Sequence, residues 1–370
     1  MGPHRGIISP NRRNCQPGVS HPAPPAVDPG RAARTGAARA YASRIARRAR
    51  TLLLVAAVAT AWAATPAQAI EDPPSYRNPV YAGDFPDPSV VRIGPEYWAA
   101  GTAAGRGFPP ILRSPDLVHW TLAGSIFQKA PAWSDGQNYW APELFRQGDT
   151  YLAYYSARRK SGKMCVAVAS SLNPIGPYDD AGPLVCQPAG SIDPSVVRNS
   201  EGWPFLVWKE DRNTEGVTTV IWIQPLSRDG LALTGVRRKI LSATGRGWEG
   251  GVVEGPQIIR RKHFLYLFYS GNLCCGPNCE YAMGVARSKG LYGPWKRLGR
   301  NPVLDSDDDW LCPGHGSVVQ SPNGRWWMLY GSYNAVGTIS PGRLLLLDPI
   351  SWTRDAWPVV NGGKGPSAGH

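Results

Sequence analysis

No long segment of this 370-residue sequence repeats its apolar residues every 3.6 positions, which disfavours TIM-barrel and doubly wound α/β folds. Charge is sparse, at 18% of residues. The apolar run Leu52 to Ala64 is too short to span a bilayer comfortably. Phosphate-binding loops and His-Glu-x-x-His strings are missing, and no basic patch interleaved with aromatics follows residue 69. These absences leave P-loop chemistry, zinc-protease chemistry and nucleic-acid binding without support.

What the sequence has instead is turn formers and aromatics. The 42 Gly and 36 Pro suit a turn-rich β protein. The 15 Trp and 15 Tyr serve either as core or as faces on which sugar rings stack. The net charge of +13 comes mostly from the first 69 residues, which hold ten Arg and one acid, Asp28. The remainder, with 30 basic and 26 acidic residues, is nearly balanced.

That basic N-terminus reads as an export signal. Arg44, Arg47, Arg48 and Arg50 precede the apolar run, and Ala67-Gln68-Ala69 fits a cleavage site that leaves Ile70 first. A membrane anchor is the alternative reading. Residues 1–40, rich in Pro, Ala and Arg, read as disordered or as the product of a start codon placed too early. Six cysteines follow the leader: Cys165, Cys186, Cys274, Cys275, Cys279 and Cys312. An even count in an exported chain points to disulfides. Cys165 and Cys186 lie in successive predicted strands and can face each other. Cys275 and Cys279 have the spacing of a zinc half-site, but no second pair accompanies them.

Internal repetition organises the rest. Asp87-Pro88-Ser89-Val90-Val91-Arg92 recurs unchanged as Asp193-Pro194-Ser195-Val196-Val197-Arg198. Weaker relatives begin at Trp140, Glu254 and Gly314, so five starts are spaced by roughly 50 to 60 residues. Each start leads to a turn and an aromatic-rich strand, then to shorter strands, with the fourth the least distinct. The pattern predicts an all-β, five-bladed β-propeller over residues 70–370, a single domain of about four antiparallel strands per blade. A tandem β-sandwich is the structural alternative.

In a propeller the first strand of each blade lines the central channel. The strand starts bring Asp87, Asp193, Glu254 and His315 to one cavity. Clustered carboxylates are what glycoside hydrolysis needs: an acid for the leaving oxygen and a carboxylate for water or the sugar. Each residue also has a plainer reading. Asp-Pro-Ser is good turn chemistry, Glu254 can be a solvated loop carboxylate, and a histidine between glycines can be structural.

Six strings together resemble glycoside hydrolase family 43, five-bladed propellers acting on arabinose- and xylose-containing polysaccharides. They are Asn78–Val80 with Gly83–Ser89, Arg113–Trp120, Tyr139–Glu143, Ser191–Ser195, Val253–Pro256 and Gly314–Ser317, in the family's order. The resemblance implies that Asp87 is the general base, Glu254 the general acid, and Asp193 a third carboxylate that tunes and orients the acid. It implies inversion at the anomeric carbon, with the carboxylates about 6.5–9.5 Å apart. It links His315 to a calcium ion or a water near the axis and Arg343 to the bound sugar, and it makes Trp140 and Phe85 an apolar wall. No cofactor is required for the reaction itself. The expected partner of this secreted monomer is an arabinan- or arabinoxylan-type substrate, with no nucleic acid and no membrane after signal cleavage. The cysteine-rich loop Asn272–Tyr281 departs from the family pattern. The chain ends soon after the fifth unit, without the β-sandwich of many β-xylosidases, which favours arabinofuranoside cleavage over the alternatives, a β-D-xylosidase, another furanosidase or a sugar-binding propeller without catalysis.

Overall fold

A computed structural model of the chain describes residues 72–103, 107–336 and 341–370. The expected leader and signal segment, 1–69, with Cys15, lies outside them.

Among the described residues, twenty strands form five four-stranded antiparallel sheets, each a meander in chain order. Blade one holds β1 (Ser89–Ile93), β2 (Glu96–Ala100), β3 (Pro110–Ser114) and β4 (Thr121–Ser125). Blade two holds β5 (Trp140–Gln147), β6 (Thr150–Arg158), β7 (Met164–Ser171) and β8 (Asp179–Val185). Blade three holds β9 (Ser191–Arg198), β10 (Pro204–Glu210), β11 (Val220–Pro225) and β12 (Arg238–Ser242). Blade four holds β13 (Val253–Arg261), β14 (Phe264–Gly271), β15 (Ala282–Ser288) and β16 (Lys296–Arg297). Blade five holds β17 (Trp310–Gln320), β18 (Trp326–Asn334), β19 (Leu344–Trp352) and β20 (Pro358–Val360).

The chain is a five-bladed β-propeller. Its innermost strands β1, β5, β9, β13 and β17 lie side by side and close on themselves, β17 returning to β1. Second strands are buried on both faces, which is why Leu152–Tyr155, Leu206–Trp208 and Leu265–Tyr269 are continuous apolar runs rather than alternating ones. Five apolar layers fill the five spaces between neighbouring blades. The layer joining blades five and one contains Val90, Tyr97, Leu329 and Leu347. Segments flanking the blades seal this seam: Arg77 bridges Gly369, and Tyr81 bridges Leu345 on β19.

Fourth strands are short or polar because they face water. β8 opens on Asp179 and Asp180, and its pairing with β7 is interrupted twice. Disulfides join Cys165 to Cys186, as expected for β7 and β8, and also Cys274 to Cys275 and Cys279 to Cys312. With Cys274, Cys275 and Cys279 all engaged in disulfides, the zinc half-site does not form.

Candidate active site

Every innermost strand carries a left-handed residue where it reaches the channel mouth. These are Asp87 (φ 54°), Ala141 (φ 43°), Asp193 (φ 57°), Gly255 (φ 54°) and His315 (φ 50°). Four of the five are not glycine, and such a conformation costs an L-residue ~1–2 kcal/mol. In blades two to five the ladder to the second strand also breaks register here. Bulges of this kind re-aim side chains. The repeated strain therefore marks the position that each blade aims at the axis.

This equivalence corrects one expectation. The blade-four counterpart of Asp87 and Asp193 is Gly255, and Glu254 stands one residue earlier, in line with Pro86, Trp140, Ile192 and Gly314. Glu254 enters the cavity beside Trp140 and Ile192, the residues in its own register. Gly255 is required twice over. Its φ is positive, and a Cβ there would lie 2.9 Å from the His315 ring.

Asp87, Asp193, Glu254, His315, Arg343 and Trp140 all line one cavity of about 470 Å³. Phe85 does not. It is fully buried in the seam layer with an edge-on contact to Tyr81, so the expected apolar wall loses that member. The residue lies two positions before Asp87, on the side of the chain that faces the core.

Asp87 is held by three groups. Arg343 donates from Nη1 to Oδ1 at 2.8 Å and from Nη2 to Oδ2 at 3.2 Å. His315 Nδ1 lies 3.3 Å from Oδ1, and Thr102 donates its hydroxyl to Oδ2 at 2.5 Å. Thr102 in turn accepts the Ala141 N–H at 2.7 Å, tying blade one to blade two. Burial alone would raise the Asp87 carboxyl, but Arg343, His315 and Thr102 outweigh it and hold Asp87 far below the ordinary carboxylate range. Arg343 is itself fixed from behind, since Asp84 Oδ1 accepts its backbone N–H at 3.0 Å.

The other two carboxylates form a coupled pair. Asp193 Oδ2 accepts the Gly255 N–H at 2.9 Å, which fixes the backbone beside Glu254. Burial, with the charges of Glu254 and Asp87, pushes Asp193 up to about 6. Glu254 is buried as well, yet the Lys209 ammonium at 2.6 Å draws it below its usual value. Lys209 is 1% exposed and also pairs with Asp211 at 3.0 Å. The Tyr281 hydroxyl, fully buried, lies against Glu254 without completing a well-formed protein hydrogen bond. Burial lowers His315, but Asp87 and Asp193 more than compensate and raise it to about 8. The cluster thus holds Asp87 ionised on one side and, on the other, a raised Asp193 beside a Glu254 lowered by Lys209.

Sequence reasoning missed Lys209, Thr102 and Tyr281. Lys209 had a visible signal: it is the one cation that follows the apolar run Phe205–Trp208 on a central strand. One string could mislead. Gly365-Pro366-Ser367-Ala368-Gly369 has the spacing of a nucleophile elbow, but Ser367 is buried in the closing seam, where its N–H donates to Asp348 and its carbonyl accepts from Asn78.

A closed ring of five four-stranded blades with carboxylates converging on its axis defines the class: a β-propeller with an axial acidic site. The chain belongs to glycosyl hydrolases family 43, whose model matches residues 76–358. It is 29% identical over 308 residues to a xylosidase/arabinosidase of Butyrivibrio fibrisolvens, covering 78% of this chain and 57% of that protein. It is 28% identical over 295 residues to an extracellular endo-α-(1→5)-L-arabinanase of Bacillus subtilis, covering 74% of this chain and 86% of that protein. The crystal structure of a thermostable family-43 glycoside hydrolase superposes with a TM-score of 0.71 at 28% identity, covering 80% of this chain and 97% of that one. The chain spans 53–58% of the length of the first four curated relatives it matches.

Proposed function

We propose that the protein is an exported, inverting glycoside hydrolase acting on α-L-arabinofuranosyl linkages of arabinan- or arabinoxylan-type substrates. One observation carries the reading: across a single cavity, Asp87 is gripped by Arg343 and His315 while Asp193, on the Gly255 N–H, stands beside Glu254. Asp87 accepts a proton from water as that water attacks the anomeric carbon. Glu254 donates to the departing glycosidic oxygen, and a sugar that displaces water from the cavity raises the Glu254 carboxyl toward the donating form by desolvation. Asp193, through the Gly255 N–H, positions Glu254. Arg343 and His315 keep Asp87 ionised. Three disulfides support export to an oxidising compartment. No helix among the described residues is long and apolar enough to cross a membrane.

No cofactor enters these steps. Calcium near His315 would act structurally. A second small cavity that His315 lines is also lined by Glu143, Ser195, Gln257 and Ser317, and Ser195 Oγ is buried without a protein partner, which suits an oxygen-preferring ion. Among the described residues no three His, Cys, Asp or Glu side chains cluster as metal ligands, so hydroxyl, amide and water oxygens would complete its shell.

The second reading, a β-D-xylosidase, is favoured by the name of the Butyrivibrio relative, which pairs the two activities. A panel of 4-nitrophenyl glycosides with debranched arabinan separates them, and activity confined to the xyloside would overturn the first. Proton NMR of the first-formed sugar should find the inverted anomer; a retained anomer would rule out the role given to Asp87.

A further inference from the structure

The loop from Asn272 to Tyr281 connects β14 to β15 and reaches the mouth of the axial cavity. Within it, adjacent residues Cys274 and Cys275 are joined by a disulfide, and both line the same cavity as Asp87 and Glu254. Joining neighbouring cysteines closes an eight-membered ring through their shared peptide bond, so neither side chain retains rotamer freedom. The result is a small fixed patch of sulfur and methylene carbon that carries no strong hydrogen-bonding group.

The patch is anchored from several directions. Asn272 donates its N–H to the Glu249 carbonyl at 3.0 Å, and Glu280 donates to Leu273 at 2.9 Å. The Cys279–Cys312 disulfide ties the loop to β17, the innermost strand of blade five. Cys274 and Cys279 pack against buried Tyr281, Cys312 and Tyr333. Cys274 is half-buried, and Cys275 is exposed.

The remaining walls are unlike it. Asp87, Asp193, Glu254, Lys209 and Arg343 supply charge, leaving Trp140, Ile192 and the disulfide as the apolar surfaces. A sugar ring offers hydroxyls at its edge and C–H groups on its faces. Charged groups take the hydroxyls, and the C–H face must meet an apolar surface. We propose that the Cys274–Cys275 disulfide is that surface for the bound sugar, a binding and specificity element of the axial cavity. The inference rests on the glycosidase reading above and adds to it the wall against which the sugar lies.

The test compares wild-type protein with the Cys274→Ser/Cys275→Ser and Cys274→Ala/Cys275→Ala double variants. KM and kcat are measured on 4-nitrophenyl α-L-arabinofuranoside and 4-nitrophenyl β-D-xyloside, together with inhibition by free L-arabinose and D-xylose. The serine variant should raise KM and the inhibition constant of the bound sugar about tenfold, as expected for loss of a small apolar contact. Its kcat should stay within about twofold, and its pH profile should not move. The alanine variant should recover part of the affinity. Brief TCEP treatment of the folded wild type, oxidising the phosphine as two thiols form, gives the same comparison without mutation, with opening of this bond read by alkylation and mass spectrometry. Hydrolysis with KM unchanged in the serine variant and in the reduced protein overturns the wall alone. Hydrolysis of neither glycoside by the wild type overturns the glycosidase reading and the wall with it.

Discussion

Lys209 offers the sharpest test of the site's electrostatics. Its ammonium is 1% exposed and touches Glu254 at 2.6 Å and Asp211 at 3.0 Å. Lys209→Met keeps the apolar stem and removes the charge, leaving two carboxylates in a dry environment. At an effective dielectric near 20, one such contact at ~3 Å is worth roughly 5 kcal/mol, and desolvation offsets part of it. Removing one partner of a buried pair costs about 3–5 kcal/mol. The sign with pH follows from Glu254, whose folded value lies below its usual one. Its contribution is present above the unfolded carboxyl value, near 4.5, and is lost as pH falls through the folded value. The penalty of Lys209→Met should therefore be full at pH 7 and shrink markedly by pH 4. Urea denaturation followed by tryptophan fluorescence at both pH values measures it. The variant should also shift the basic limb of kcat/KM to higher pH, because Lys209 lowers both Glu254 and Asp193. A loss below about 1 kcal/mol at pH 7, or an equal loss at pH 4, would show that Lys209 does not hold Glu254 ionised.

The wild-type pH profile should be one-sided: kcat/KM falls as pH rises through about 6, where Asp193 gives up its proton, with no acid limb from Asp87 above about pH 4. A steep acid limb at pH 5 would show that Asp87 is not held ionised. Glu254→Ala should cost at least tenfold more on arabinan than on an activated nitrophenyl glycoside, because protonation matters most for a poor leaving group. Equal losses would remove Glu254 from the acid role. Cys165→Ser/Cys186→Ser opens a link of sequence separation 21 and should lower stability by about 3 kcal/mol in chemical denaturation while leaving KM unchanged. Dialysis against EDTA should lower the melting temperature and leave the initial rate at 25 °C intact; an unchanged melting temperature would argue against a structural calcium.

The blades were legible because their chemistry is local. The Asp87–Arg92 hexapeptide returns at Asp193–Arg198, and strands buried on both faces are written as apolar runs such as Phe205–Trp208. The outermost strands were less so, since a solvent-facing edge such as Asp179–Pro183 has no apolar pattern to read. Asp87, Asp193, Glu254, His315 and Arg343 could be named from strings, but their relations could not. The one-residue offset of Glu254 follows from a bulge, a backbone event that leaves only Gly255 as its trace. Phe85 was misplaced for a related reason: proximity in sequence to Asp87 says nothing about which side of the strand it occupies. Lys209 pairs with Glu254 across 45 positions, a distance no local pattern encodes.

The partner that neutralises Asp87 comes from 256 positions along the chain, in the blade that closes the ring beside it. Asp87 belongs to the first blade to be synthesised, and Arg343 belongs to the last. A growing or partly folded chain with four blades in place therefore holds Asp87 without its guanidinium, and the seam that would bury it is still open. Turnover is consequently a clock for the final docking event. The time at which a refolding sample first hydrolyses its substrate marks the moment the ring shuts, later than any signal from strand pairing within a blade.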